Sequence, residues 1–135
     1  MKFFCLGYFD ETQWEAMPDT DRNVLMDACL AYDDTLRQKG HILGGEALQS
    51  PKTATTLRYR NGRVTVTDGP FAETKEQLGG ILIIEASDTK EAIQLLSKHP
   101  GVKIGPFEIR AVEDMTAVLR ESEARRRSAA ANPAA

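Results

Sequence analysis

The chain begins with a stretch that has no polar side, residues 2–9. Its two alternating sets of side chains are both apolar or small: Phe3, Cys5, Gly7 and Phe9 on one side, and Phe4, Leu6 and Tyr8 on the other. Residues 80–86, which read G-I-L-I-I-E-A, also lack a polar face. A strand that is apolar on both sides is typically covered on both sides. The pattern therefore predicts two central strands.

Other segments have the spacing of amphipathic helices. Over residues 21–39 the apolar residues recur in steps of three, four and seven, and Gly40 fits a C-terminal cap. These residues are Val24, Leu25, Ala28, Cys29, Tyr32 and Leu36. A second helix is expected to end before residues 99–101. Two patterns fit capping boxes, Thr12 with Glu15 for a short first helix, and Asp88 with Glu91 for the second main helix.

Asn61-Gly62, between two alternating runs, is the strongest turn signal in the chain. With these two residues as the turn, Arg60 pairs with Arg63 and the other pairs follow. One face of the hairpin is then apolar: Leu57, Tyr59, Val64 and Val66. The other face is basic and polar: Arg58, Arg60, Arg63, Thr65 and Thr67. This basic face either protects the hairpin from edge-to-edge aggregation or binds an anion or an acidic partner.

The remaining elements complete one domain. Strands are predicted at residues 41–48, interrupted or bulged at two glycines, and at residues 106–112. A helix follows, and residues 128–135 are expected to fray. The predicted domain therefore spans residues 1–112, and residues 113–135 form a C-terminal helix and a flexible tail.

The order of elements is strand, helix, strand, hairpin, strand, helix, strand. This is a ferredoxin-like β-α-β-β-α-β plan of the α+β class, with an additional hairpin. Two main helices can cover only one face of the sheet, whereas the central strands are apolar on both faces. We therefore expect a homodimer in which the sheets of two copies pack against each other.

The composition narrows the class of protein. The 135 residues are 41% apolar and 27% charged, which suits one domain with a core. The formal charge is −3, and eight acidic residues lie between residues 10 and 34, which disfavours direct nucleic-acid binding. The sequence contains no apolar run long enough for a membrane span and no recognisable export signal. The two cysteines are therefore expected to be free thiols in the cytoplasm.

Residues 68–76 read D-G-P-F-A-E-T-K-E. This run resembles the hallmark of the DGPF group of the YCII-related family. Three flanking segments are similar as well: G-G-E-A-L at 44–48, T-A-T-T at 53–56 and H-P-G at 99–101. The resemblance extends over about residues 1–112. It implies a small bacterial protein with a dimeric α/β-barrel fold built from ferredoxin-like subunits.

The biochemical role of the DGPF group is mostly unassigned, so the resemblance implies two classes of function. A few YCII-like proteins resemble enzymes that act on small ring compounds, which implies lyase- or isomerase-like acid/base chemistry on a small polar or aromatic ligand. Some relatives accompany, or are fused to, extracytoplasmic-function sigma factors, which implies a non-catalytic regulatory or interaction protein. We expect ligand binding, with the regulatory protein as the alternative. No cofactor is expected, and the two histidines and two cysteines lack metal-ligand spacing.

The D-G-P-F segment supplies the candidate ligand residues. Gly69-Pro70 predicts a rigid bend, and Asp68 can accept hydrogen bonds from the amides after it. Phe71 can anchor the loop or line a cavity, and Glu73 and Lys75 can pair or contact a polar ligand. The segment either shapes a ligand cleft or is a turn that fixes the dimer or closes the sheet edge. The predicted ligand-binding residues are Asp68, Gly69, Pro70, Phe71, Glu73 and Lys75.

His99 is the candidate catalytic residue, because an imidazole exchanges protons near neutral pH. Glu73 or Asp68 would act as its acid or orienting partner. The alternative is that His99 only caps the helix before it.

In YCII-like relatives thought to be enzymes, a His on the first helix and an Asp before the Pro that follows the second helix look like a catalytic pair. Here Cys29 and His99 stand near these positions, so the resemblance does not supply that pair. Cys29 is expected to be an inert residue of the apolar helix stripe rather than a nucleophile. Asp33 and Asp34 are expected to be solvated.

Overall fold

The structure is a computed structural model that describes residues 1–131. Its strands and helices are β1 Lys2–Phe9, α1 Glu11–Ala16, α2 Asp19–Gln38, β2 Ile42–Ala47, β3 Thr55–Arg60, β4 Arg63–Asp68, β5 Gln77–Glu85, α3 Thr89–Ser97, β6 Phe107–Ala111 and α4 Thr116–Ala131. Single 3₁₀ turns lie at Pro51–Thr53 and Pro100–Lys103.

Four strands form one antiparallel sheet in the order β2-β5-β1-β6. This order, with α2 after β1 and α3 after β5, is the predicted ferredoxin-like α+β plan. The two strands predicted to be central, β1 and β5, are indeed neighbours in the middle of the sheet. β2 has an irregularity, but it lies earlier than predicted: the pairing register with β5 shifts between Ile42 and Gly44, whereas Gly44 and Gly45 pair regularly with Ile83 and Leu82.

The core lies between one face of the sheet and the helices. Phe3 and Cys5 on β1, Ile84 on β5, and Ala92 and Leu96 on α3 are almost fully buried and form one cluster. The opposite face of the sheet presents the other set of central-strand side chains: Phe4, Leu6, Ile81 and Ile83. These four side chains are only partly buried, so this second face, called here the open face, is less completely covered than the first.

The helix caps agree with the sequence in one case and differ in another. Asp88 caps α3 by accepting a hydrogen bond from the Glu91 amide at 2.8 Å, as predicted. The prediction that Thr12 caps α1 is wrong, because the Asp10 side chain accepts from the Thr12 amide at 3.0 Å. An Asp side chain competes well for this position, and Asp10 lies where β1 ends and the chain turns.

The hairpin β3–β4 has the predicted turn and register. Arg60 pairs with Arg63, and Asn61 and Gly62 both adopt positive φ, 52° and 78°, which a two-residue turn of this kind requires. The hairpin is a separate two-stranded sheet that makes only marginal contact with the four-stranded sheet.

The C-terminal helix α4 starts where predicted and extends further. It is preceded by Asp114, whose side chain accepts from the Thr116 amide at 2.9 Å. It continues to Ala131, so residues 128–131 are helical rather than frayed, and residues 132–135 of the predicted tail lie outside the described residues. Among residues 1–131, no helix is both long and apolar enough to cross a membrane.

Candidate active site

A cavity of about 780 Å³ lies between the helix-covered face of the sheet and α2. Its floor is the part of that face that has almost no side chains. Gly7 pairs with Gly80, and Gly80 pairs with Ala47, while Gly45 completes the patch. Because a glycine patch gives α2 nothing to pack on, only Leu36 near the C-terminal end of α2 is fully buried. The missing side chains thus create the cavity.

The walls of the cavity are mostly apolar. Trp14 of α1, Met26 and Leu30 of α2, and Phe107 of β6 line it, and Trp14 is the only tryptophan in the chain. A concave, apolar site with a few polar groups is the usual form of a small-molecule site. The polar groups therefore decide what chemistry this site can support.

The central polar feature is a hydrogen-bonded pair, His99 and Asp33. The His99 Nε2 atom lies 2.9 Å from Asp33 Oδ1, and the Gly101 amide donates to His99 Nδ1 at 3.0 Å. Because an amide N–H can only donate, Nδ1 carries no proton, so the imidazole proton is on Nε2 and is donated to the carboxylate. Both ring nitrogens of His99 are therefore occupied by protein groups.

The His99 ring is held by packing as well as by hydrogen bonds. It is 7% exposed and has edge contacts with Tyr32 of α2 and Phe107, whose ring centroids lie 5.6 and 5.2 Å away. The Tyr32 hydroxyl in turn donates to the Leu95 carbonyl at 2.6 Å, which ties α2 to α3. His99 is consequently a rigid, buried support for Asp33.

Asp33 lines the cavity, and within residues 1–131 only one of its two carboxylate oxygens has a protein partner. Its side chain is 16% exposed and lines the cavity, whereas its Oδ1 is bound to His99. Within residues 1–131, Oδ2 accepts no hydrogen bond. Every buried polar side-chain atom of these residues has a hydrogen-bond partner, so the unpartnered Oδ2 must be accessible to solvent. Asp33 Oδ2 is thus the carboxylate atom that a bound molecule can reach.

This arrangement corrects one sequence expectation and adds a contact that the sequence did not predict. Asp33 is not solvated, whereas Asp34 is, since it is 67% exposed and paired with Arg37. A carboxylate–imidazole pair is present with its residue types in the reverse order to that of the relatives, Asp on α2 and His before Pro100. One signal could have found it: Asp33 lies four residues after Cys29 and three before Leu36, on the apolar stripe of α2.

The D-G-P-F segment lies outside the cavity. Asp68 ends β4 and pairs with Thr55 at the base of the hairpin, and Phe71 is 78% exposed. None of the predicted ligand-binding residues Asp68, Gly69, Pro70, Phe71, Glu73 and Lys75 lines the cavity that contains His99. A single chain therefore does not bring the two predicted groups together.

The segment is held by other groups than those expected. Across residues 1–131, the Asp68 side chain accepts no hydrogen bond, and Glu73 and Lys75 form no ion pair. Thr56 Oγ1 donates to the Gly69 carbonyl at 2.7 Å, and Arg58 donates to the Phe71 carbonyl. Gly69 has φ +100°, a conformation that favours glycine. These contacts make the segment a fixed turn between the hairpin and β5.

Cys29 lines the cavity one helical turn before Asp33. Burial, and after it the nearby Asp33 carboxylate, raises the pKa of its thiol. A hydrogen bond from the Gly101 amide lowers this pKa, but its effect is the smallest of the three. The raised pKa keeps the thiol protonated at neutral pH, which disfavours a nucleophilic role. That Cys29 is not a nucleophile stays a prediction.

Alkylation by iodoacetamide tests this assignment. Labelling of Cys29 is expected to be slow at pH 7 and to rise only above the ordinary thiol range, because the thiolate is the reactive form. Asp33→Asn removes one cause of the raised pKa and should speed labelling at each pH. Cys5 is the internal control: its pKa is raised to about 11 and it is fully buried, so it should remain unlabelled. Labelling of Cys29 at pH 7 at the rate of a free thiol would contradict the assignment.

The fold and the site together define a class: a ferredoxin-like α+β domain with a largely apolar cavity containing a carboxylate–imidazole pair. The sequence pattern of the YCII-related domain matches residues 1–116, and the chain belongs to this family. An uncharacterised protein of Rhizobium meliloti (strain 1021) is 35% identical over 115 residues, which cover 82% of this chain and 90% of that protein.

A solved structure shares the fold. It is 5-chloro-2-hydroxyhydroquinone dehydrochlorinase from Burkholderia phenoliruptrix AC1100, in complex with 2,5-dihydroxybenzoquinone. The TM-score is 0.50 and the identity 19%, with 84% of this chain and 94% of that chain covered. At this identity the likeness concerns the fold alone.

Proposed function

We propose that this protein binds a small, largely apolar ring compound in the cavity and transfers a proton on it through Asp33. The His99–Asp33 hydrogen bond inside an apolar cavity is the observation that carries the proposal. The structural neighbour, which is named as a dehydrochlorinase and holds a hydroxylated quinone, supports the choice of ligand class.

In the proposed reaction the two residues have different roles. Asp33 Oδ2 accepts a proton from a hydroxyl or an acidic C–H of the ligand. His99 keeps its Nε2 proton hydrogen-bonded to Oδ1, which stabilises the carboxylate and fixes its orientation. Return of the proton to another ligand atom gives an isomerisation, and loss of a leaving group gives an elimination. In this assignment His99 is a positioning residue. The group that contacts the substrate is Asp33, and not His99 as the sequence predicted.

The fluorescence of Trp14 provides a direct binding test. Hydroquinone, catechol and phenol serve as probes, since each is a ring of suitable size with a weakly acidic hydroxyl. Saturable quenching is expected for at least one of them, because Trp14 lines the cavity and no other tryptophan contributes.

Two neighbouring variants localise that binding. Asp33→Asn removes a charge-assisted hydrogen bond and is expected to weaken binding about tenfold or more. Asp34→Asn changes an exposed carboxylate of the same helix and should leave the affinity unchanged. Equal affinities in the two variants, or no quenching by any probe, would contradict the proposal.

Three finer assignments also remain proposals. The D-G-P-F run supports placing the chain in the DGPF group. The two free cysteines support residence in the cytoplasm. The apolar open face of the sheet supports a homodimer in which a second copy covers it. The alternative role beside an extracytoplasmic-function sigma factor stays a prediction.

A further inference from the structure

The side of α2 that faces the cavity changes from apolar to charged along the helix. The residues of α2 that line the cavity are Met26, Cys29, Leu30, Asp33 and Arg37. Spacings of three and four residues place them on one side of the helix. Asp33 and Arg37 are one turn apart, about 6 Å along the helix axis. The cavity is therefore lined by a carboxylate and, one turn further on, by a guanidinium.

Arg37 is the only lysine or arginine that lines the cavity in the part of the chain that the structure describes. Glu46 of β2 lies beside the cavity as well, but it pairs with Ile81, whose side chain is on the open face. Directly paired residues of antiparallel strands project their side chains to the same side of the sheet, so the Glu46 carboxylate points away from the cavity. No acidic side chain of the sheet floor therefore competes with a ligand for Arg37 within residues 1–131.

Arg37 lies at the rim of the cavity, since its side chain is 58% exposed, whereas that of Asp33 is 16% exposed. Its Nη1 donates to Asp34 Oδ1 at 2.7 Å, and no other group among residues 1–131 accepts a hydrogen bond from this guanidinium. A guanidinium has several N–H donors in a planar fork, so donors remain for a ligand. This fork matches the two oxygens of a carboxylate better than any other side chain does.

We infer that the ring compound carries a carboxylate group, which Arg37 binds at the rim while Asp33 meets a hydroxyl of the ring. The inference rests on the proposed function and narrows its ligand class to hydroxylated aromatic acids. One helical turn is comparable to the span of a six-membered ring with substituents on opposite carbons. The spacing of the two side chains thus favours a carboxylate opposite the hydroxyl and disfavours one on the adjacent carbon.

The charge balance of the proposed proton transfer supports a role for Arg37. When Asp33 accepts a proton from the ring, the ring gains negative charge and Asp33 loses its own. Negative charge in a largely apolar cavity is costly unless a cation or a hydrogen-bond donor lies close to it. Arg37 remains charged throughout, because a guanidinium does not lose its proton in proteins. Arg37 therefore favours binding of an acidic ring before the transfer and retention of the anion after it.

Two comparisons between probes isolate the charge of the ligand and its position. 4-Hydroxybenzoate and 4-hydroxybenzamide share a ring and a hydroxyl, but only the first is an anion. Isothermal titration calorimetry, in which the absorbance of the ring does not interfere, is expected to give an affinity about tenfold higher for the acid. 2-Hydroxybenzoate carries the same two groups on adjacent carbons and should bind several-fold more weakly than the 4-isomer. Equal affinities in either comparison would overturn the inference.

Variants of two arginines test whether Arg37 is responsible. Arg37→Gln is expected to reduce the ratio of acid to amide affinity to about one, and Arg37→Lys should retain part of the ratio. Arg127→Gln is the matched control. Arg127 is also an exposed helical arginine paired with an acidic residue one turn earlier, Glu123, but it does not line the cavity. Because each ratio compares two ligands on one protein, a general loss of stability does not alter it.

The outcomes separate this inference from the proposed function. A wild-type ratio in Arg37→Gln would show that Arg37 serves only the C-terminal end of α2, and it would overturn the inference. The proposed function would survive that result, because neutral rings and the Asp33→Asn variant test it independently. Failure of every probe to bind, acidic and neutral alike, would overturn both.

Discussion

Replacing His99 by alanine is expected to lower the free energy of unfolding by about 2–4 kcal/mol and to slow the proton transfer that we propose for Asp33. The change removes ring contacts with Tyr32 and Phe107 and leaves two polar groups without their partner, the Asp33 carboxylate and the Gly101 amide. Urea denaturation followed by circular dichroism measures the loss. His99 thus supports the fold as well as the site.

The other histidine is the control for this experiment. His41 lies before β2, and its Nδ1 is 2.8 Å from the Glu85 carbonyl at an exposed position. His41→Ala is expected to cost less than about 1 kcal/mol and to leave the cavity intact. A similar loss of stability in both variants would contradict the role assigned to the His99–Asp33 pair.

Gly105→Ala is expected to cause the larger loss of stability, at least about 3 kcal/mol. A Cβ at this position would lie 1.7 Å from the Tyr8 carbonyl oxygen, which is backbone and cannot rotate away. The segment before β6 would have to leave β1, although the Tyr8 amide donates to the Pro106 carbonyl there at 3.0 Å. Thermal denaturation of the purified variant measures the effect.

Gly44→Ala is the matched control, because both glycines line the cavity. A Cβ on Gly44 would meet only the Ile83 side chain, at 3.8 Å, an ordinary contact distance. This variant is expected to keep wild-type stability to within about 1 kcal/mol. A Gly105→Ala protein as stable as Gly44→Ala would show that the chain near β6 is less closely fitted to β1 than the structure indicates.

Secondary-structure elements are predictable from the sequence where a local residue pattern determines them. Asn61-Gly62 fixed the hairpin register, because that dipeptide suits the positive φ angles of the turn. The apolar faces of β1 and β5 indicated their central places. The predicted cap at Thr12 is wrong because α1 begins two residues earlier, where the Asp10 side chain accepts from the amide of Thr12 itself.

The site was only half predictable, because it depends on a contact between residues 66 positions apart. His99 stood out by its type, whereas Asp33 was hidden among eight acidic residues of an acidic region. The D-G-P-F run is conspicuous in the sequence, yet its structural role is a turn held by Thr56 and Arg58. Which distant side chains meet depends on the packing of α2 against the turn after α3, which no local pattern encodes.

The glycine floor of the cavity has a consequence for how a ligand is selected. The floor is backbone of the hydrogen-bonded strands β1, β2 and β5, so it is already ordered before a ligand arrives and loses little entropy on binding. Trp14, Met26 and Leu30 lie instead on α1 and α2 and can change rotamer. The depth of the site is therefore constant, and the side chains of α1 and α2 adjust to differently substituted rings.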